Sequence, residues 1–254
     1  MKKKSENIGN NFLFILSFLV LTLFVEIIVR IKEIPSFILP SPSAVVKNLW
    51  ETKALLWEHS LVTILEALSG FIISIILAFI IGALIYNKKR IKAIVYPFLL
   101  ISQTVPLIAI APLILIWFGF GIMPKIIIVI IVCIFPILVS FLDGLSATDK
   151  ELIELFTVMK APKIKIFFTC ILPNSLSSFL AGCKIAATYA IMGAVIGEWL
   201  GAEKGLGIYM TRTLSSFQTE GLFASIVIVI LLSIILFKIM EGIEYLAMPW
   251  KRRK

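Results

Sequence analysis

Six apolar runs, residues 12–31, 61–86, 93–118, 125–142, 176–200 and 222–246, succeed one another along this 254-residue chain, each near the length of a membrane-crossing helix. About 20 apolar residues cross the hydrocarbon layer of a bilayer. Lipid offers no partner to backbone N–H and C=O groups, so each run must close its hydrogen bonds within itself. The expectation is an all-α, polytopic membrane protein with six transmembrane helices. With 60% hydrophobic and only 15% charged residues, little of the chain is left for anything but short connections.

The formal charge of +9 would suit a nucleic-acid partner if the basic residues formed a patch, but they stand between the runs. Lys2, Lys3 and Lys4 precede the first run, Lys88, Lys89, Arg90 and Lys92 separate the second from the third, Lys150, Lys160, Lys163 and Lys165 separate the fourth from the fifth, and Lys251, Arg252, Arg253 and Lys254 follow the sixth. A six-span count puts all four clusters on one face, as the positive-inside rule requires. Nucleic acid is set aside, membrane lipid is the surrounding medium, and a multi-pass protein of the cell membrane with both termini cytoplasmic is expected. No small-residue cleavage pattern appears at residues 32–37, so the first run is read as an uncleaved helix. Three cysteines without CxxC or Cys/His spacing, and a single histidine, His59, beside Glu58 at a membrane edge, suggest no metal site and no catalytic residue. His59 is read as an ordinary interfacial residue.

Within the first run, Glu26 and Arg30 form an i,i+4 pair near its outer end. After a proline-punctuated turn at residues 38–42, residues 43–60 mix charges with Trp50 and Trp57, the pattern of an outer surface helix with aromatic anchors. The third run contains Pro97, Pro106 and Pro112 together with Gln103 and Thr104. Three prolines free backbone carbonyls that must find protein or water, so this span should face the bundle interior, with Gln103 and Thr104 on a translocation path. The fifth run is rich in glycine and alanine and suits close helix contact, including contact with a second copy of the chain. It carries two charges, Lys184, expected to reach for the interface, and Glu198, expected to border the path entrance.

The polar stretch 143–173 between the fourth and fifth runs predicts a helix, an elbow and another helix. Thr148 and Glu151 have the spacing of a capping box, placing a helix start at about Asp149. Leu152, Leu155, Phe156 and Met159 then make one apolar stripe. Pro162 follows Lys160 and Ala161, and Pro173 disturbs the second helix. Composition alone leaves two readings open, a helix lying on lipid and a helix docked on a protein partner.

The order of residues in this loop resembles the cytoplasmic loop of ATP-binding-cassette importer permeases: Glu154, then Leu172 and Pro173, stand where the family has its Glu-Ala-Ala triplet and later Ile-x-Leu-Pro. Leu155 and Phe156 replace the two alanines, Lys160 the glycine and Cys170 the isoleucine. Further pieces, ILPSPSAV at 38–45, QTVPLIAIAPLILIWFGFG at 103–121, FPI at 135–137, DGL at 143–145 and GEWLGAEKGLG at 197–207, are similar to the branch that imports nitrate, sulfonates, taurine and thiamine-pyrimidine precursors. The last piece looks closer to the pyrimidine-precursor permeases.

The resemblance implies a type I importer permease fold, with a first helix and outer helix over 1–59, a core over 60–246 and a basic tail over 247–254. It also implies two ATPase subunits, a second permease copy as a homodimer, and an external solute-binding protein. Leu152, Glu154, Leu155, Phe156, Met159, Lys160 and Ala161 are then the ATPase-coupling residues. No Gly-rich phosphate loop of the Walker type is present, so this chain is expected to hold no cofactor, ATP and Mg being bound by the partner ATPase. The alternative, an ion-coupled transporter, would draw on Glu66, Lys184 and Glu198. A membrane enzyme lacks an evident catalytic set.

Overall fold

The computed structural model describes residues 2–86 and 88–249, and all of the regular structure within them is helical. The order is α1 (Lys2–Ile31), α2 (Pro42–Glu51), α3 (Lys53–Tyr86), α4 (Lys89–Thr104), α5 (Leu107–Phe118), α6 (Ile122–Ser146), α7 (Lys150–Val158), α8 (Lys163–Ile166), a π-helical turn (Phe167–Ile171), α9 (Leu172–Trp199), α10 (Leu206–Ser215) and α11 (Thr219–Ala247). Among the described residues, four stretches are long and apolar enough to cross a membrane: α3, α6, the run from α8 through α9, and α11. The pair α4 and α5, bent by 100°, makes a fifth if taken as one span. The first expected span forms α1, many of whose side chains before residue 19 lie outside the described residues, as do the side chains of Lys2, Lys3, Lys4 and Lys89 and the tail from Lys251.

The chain divides into two compact units. In the first, Met1–Glu58 with Tyr209–Ile228, Glu26 is the organising side chain. Its carboxylate accepts from Arg30 Nε at 2.6 Å, from the Ser43 amide at 2.9 Å and from Ser43 Oγ at 2.7 Å. The expected i,i+4 pair is therefore also a clamp on the start of α2, where Ser41 caps by accepting from the Ala44 amide and Pro42 opens the first turn. The surface helix expected over 43–60 is shorter: α2 stops at Thr52, whose hydroxyl donates to the Asn48 carbonyl at 2.8 Å, and residues from Lys53 on belong to α3. Trp50 and Trp57 are exposed, and the Lys53 ammonium lies 3.9 Å from the centre of the Trp50 ring.

The second unit, His59–Ile208 with Val229–Lys254, is built on α6. Ile128, Val129, Cys133, Ile137 and Phe141 along that helix are fully buried. Glycines let its neighbours approach: a Cβ on Gly182 of α9 would lie 2.6 Å from the Pro136 carbonyl oxygen, and one on Gly70 of α3 would lie 2.5 Å from Val129 Cβ. Ala186, Ala187, Ala190 and Ala194 continue the α9 face, all fully buried. The small-residue face, expected to suit close helix contact, packs on α6 of the same chain. Phe79, Phe141 and Phe179 fill the middle of the core, with Phe141 and Phe179 ring centres 4.9 Å apart, edge to face.

Candidate functional site

Three places in the second unit concentrate polar chemistry. The first is the loop carrying α7. Its N-cap is Asp149, whose Oδ1 accepts from the Glu151 amide at 3.0 Å. Thr148 is not the cap expected from its spacing: it is buried, and its hydroxyl has no partner among the described residues. The aspartate one position on presents a carboxylate to the positive end of the helix, a stronger acceptor than a hydroxyl. The apolar stripe is divided. Leu152, Leu155 and Met159 are exposed, whereas Phe156 turns in with Ile153 to pack on the core of the same chain. Val158, which the sequence pattern did not single out, is 79% exposed and extends the outward face. Glu154 borders a cavity of about 460 Å³ shared with Tyr86, Lys92 and Lys150.

At the exit of α7 the chain turns through Lys160, with φ at +53°. The Lys160 amide donates to the Thr157 carbonyl at 2.9 Å and the Ala161 amide to the Phe156 carbonyl at 3.1 Å, the two bonds of a Schellman ending. Lysine thus adopts the left-handed conformation that glycine takes at no steric cost, and Pro162 then starts the next helix as its N-cap. The disturbance expected at Pro173 appears upstream of it as the π-helical turn, where the Leu172 amide reaches back to the Phe167 carbonyl. Proline has no N–H to continue the ordinary ladder.

The second place is the break between α4 and α5. Val105, ahead of Pro106, is extended, which ends α4 at Thr104, while Pro97 and Pro112 sit inside helices. Carbonyls at the end of α4 are taken up by its own hydroxyls: Ser102 Oγ donates to Leu99 at 2.7 Å and Thr104 Oγ1 to Ile101 at 2.8 Å. A cavity of about 170 Å³ opens at the break, lined by Ser102 and Gln103, by Val132 of α6, and by Tyr189 and Met192 of α9. Of the two expected path residues, Gln103 lines it; Thr104 is not among its lining residues.

The third place is a buried polar network at the ends of α3, α6 and α9. Lys125 Nζ donates to Glu66 Oε1 at 2.9 Å, the two residues being 7% and 1% exposed. Glu198, expected at the path entrance, is fully buried. It accepts from Thr63 Oγ1 at 2.6 Å and from the Gly207 amide. The Leu206 amide donates to Thr63 Oγ1 and the Gly205 amide to His59 Nδ1, both at 2.9 Å. Glu198 is therefore an anchor for the 200–207 turn. His59, read as an interfacial residue, is buried in the same network. Lys184, expected to reach for the interface, pairs with Glu244 of α11. Each charge that an ion-coupled mechanism would use has a partner in this chain. A cavity of about 450 Å³ adjoins the network, lined by Glu66 and Lys125 and, in the connecting loops, by Phe120, Glu203 and Lys204. The depth of these charges signalled that partners were needed. Their identity, 59 and 135 positions away, left no trace in local spacing.

Residues 70–245 match the family model for the binding-protein-dependent transport system inner membrane component. The formylaminopyrimidine transport permease protein ThiX of Halalkalibacterium halodurans is 37% identical over 94% of this chain and 96% of its own length. The putative aliphatic sulfonates transport permease protein SsuC of Bacillus subtilis is 28% identical over 80% of this chain and 74% of its own. The inward-facing structure of the MetNI methionine ABC transporter shares the fold, with a TM-score of 0.57 at 19% identity over 77% of this chain and 97% of the matched one.

Proposed function

We propose, because the chain belongs to the binding-protein-dependent transport system inner membrane components, that its helical body passes a small solute inward while the α7 loop receives work from a separate ATPase. The chain is the permease subunit of an ATP-binding-cassette importer, a multi-pass membrane protein. In the proposed assembly two copies enclose the path, an external binding protein delivers the solute, and two ATPase subunits hold ATP and its Mg ion. The solute is a pyrimidine precursor of thiamine, on the strength of the 37% identity to ThiX; the 28% identity to SsuC makes a sulfonate the second reading.

The observation that carries the coupling role is the orientation of α7. Asp149 fixes one end and the Lys160 turn the other, Phe156 and Ile153 bind the helix to the core, and Leu152, Leu155 and Met159 are left facing out. A helix so held moves with α6 and α9 as one lever. Fully burying a leucine or methionine side chain contributes about 1.5–3 kcal/mol, an exposed charge such as Glu154 about 0 to 1. ATPase docked on this face makes the loop cytoplasmic, and the positive-inside count then assigns residues 88–92 and both termini to the same side. Leu155→Asp is expected to release the ATPase on purification while the permease stays in the membrane. Retention of the ATPase by that variant would assign the face to lipid instead.

A further inference from the structure

The cavity at the α4–α5 break differs from the other two described above in one respect: none of its described lining residues is ionisable at neutral pH. Its polar groups are the Gln103 amide and the hydroxyls of Ser102 and Tyr189, and its walls include Val132 and the thioether of Met192. Ser102 spends its proton on the Leu99 carbonyl, so toward the cavity it offers lone pairs. Gln103 presents both a carbonyl oxygen and an NH2 group. Tyr189 and Met192 are 41% and 45% exposed in this chain, so an aromatic face and a sulfur border the same opening.

We propose that this cavity is a solute-contact site that reads an uncharged, amino-substituted heteroaromatic ring, with the Gln103 amide as the specificity-determining group. The proposal rests on the permease reading above and assigns the group that recognises its solute. A ring nitrogen beside an exocyclic amine offers an acceptor and a donor at the spacing of a side-chain amide, the geometry by which glutamine reads adenine. Tyr189 supplies a flat surface for the ring, and sulfur beside an aromatic ring is a favourable contact. An anion has no cation here to offset its loss of water. The 450 Å³ cavity does not supply one either: its lining holds two lysines, Lys125 and Lys204, and two glutamates, Glu66 and Glu203, so its formal charges sum to zero. A sulfonate or nitrate would therefore meet no net positive charge in either place, whereas a neutral aminopyrimidine would find its hydrogen bonds answered at Gln103.

The test uses the complete importer, permease with its ATPase and binding protein, in proteoliposomes with ATP inside the cytoplasmic compartment. Initial uptake of radiolabelled formylaminopyrimidine is compared for the wild type and Gln103→Leu, together with ATP hydrolysis and the amount of ATPase retained. Loss of the amide should lower uptake about tenfold or more while the amount of ATPase retained stays unchanged, the size expected for one paired amide contact. Equal uptake by wild type and Gln103→Leu would overturn the contact site and leave the pyrimidine reading standing. Uptake of taurine or nitrate in place of the pyrimidine by the wild type would overturn both.

Discussion

At the scale of single residues, the Glu66–Lys125 pair tests how this protein tolerates charge inside its helical body. Both side chains are more than nine-tenths buried and 2.9 Å apart. Taking one partner away leaves an uncompensated buried charge, which typically costs about 3–5 kcal/mol, whereas replacing both by apolar groups is often nearly neutral. Lys125→Met should accordingly lower the thermal midpoint of the detergent-solubilised permease, and adding Glu66→Leu should restore most of the loss. A double variant no more stable than Lys125→Met would mean that the two side chains do not act as a pair. Little at this scale was legible beforehand. That a charge at depth needs a partner follows from its solvation, but which partner depends on how α3, α6 and α9 cross, and no local periodicity encodes that. The same holds for Thr63, which meets Glu198 from 135 positions away.

At the scale of elements, the short α7 shows which signals survive folding. Its approximate place and apolar content could be read from spacing because they depend on neighbours a turn away, although Asp149 and not Thr148 is its cap. The division of its stripe could not: whether Phe156 points outward or onto the core is decided by the spans that flank the loop. The broken third span was readable for a similar local reason, since Pro106 forces Val105 out of the helix. Why Pro106 breaks the chain and Pro97 and Pro112 do not was beyond local reasoning. The exit of α7 gives a prediction of its own. Lys160 holds φ at +53°, a conformation costing an L-residue about 1–2 kcal/mol, against about 0.5–1 kcal/mol for the extra freedom of glycine in the unfolded chain. Lys160→Gly should therefore stabilise the turn by up to about 1.5 kcal/mol, seen as slower hydrogen exchange at the Ala161 amide. Faster exchange there would show that the lysine side chain itself stabilises the turn.

At the scale of the whole molecule, the apolar runs and the positions of the basic clusters were enough to place the chain in a membrane, because both follow from the bilayer as solvent. The architecture then separates two tasks. A helical body packed on α6 carries a broken helix pair with an uncharged cavity at the break, and an externally directed helix between α6 and α9 is held at both ends. Such a division suits a permease that receives energy from outside its own chain, and the three charges that ion coupling would draw on, Glu66, Lys184 and Glu198, are each engaged by another residue of this chain. The most direct measurement is formylaminopyrimidine uptake by proteoliposomes containing the permease, its ATPase and its binding protein, with and without ATP on the cytoplasmic side. Uptake that needs both ATP and the binding protein is the predicted result. Uptake that persists without ATP and follows an ion gradient would contradict the account.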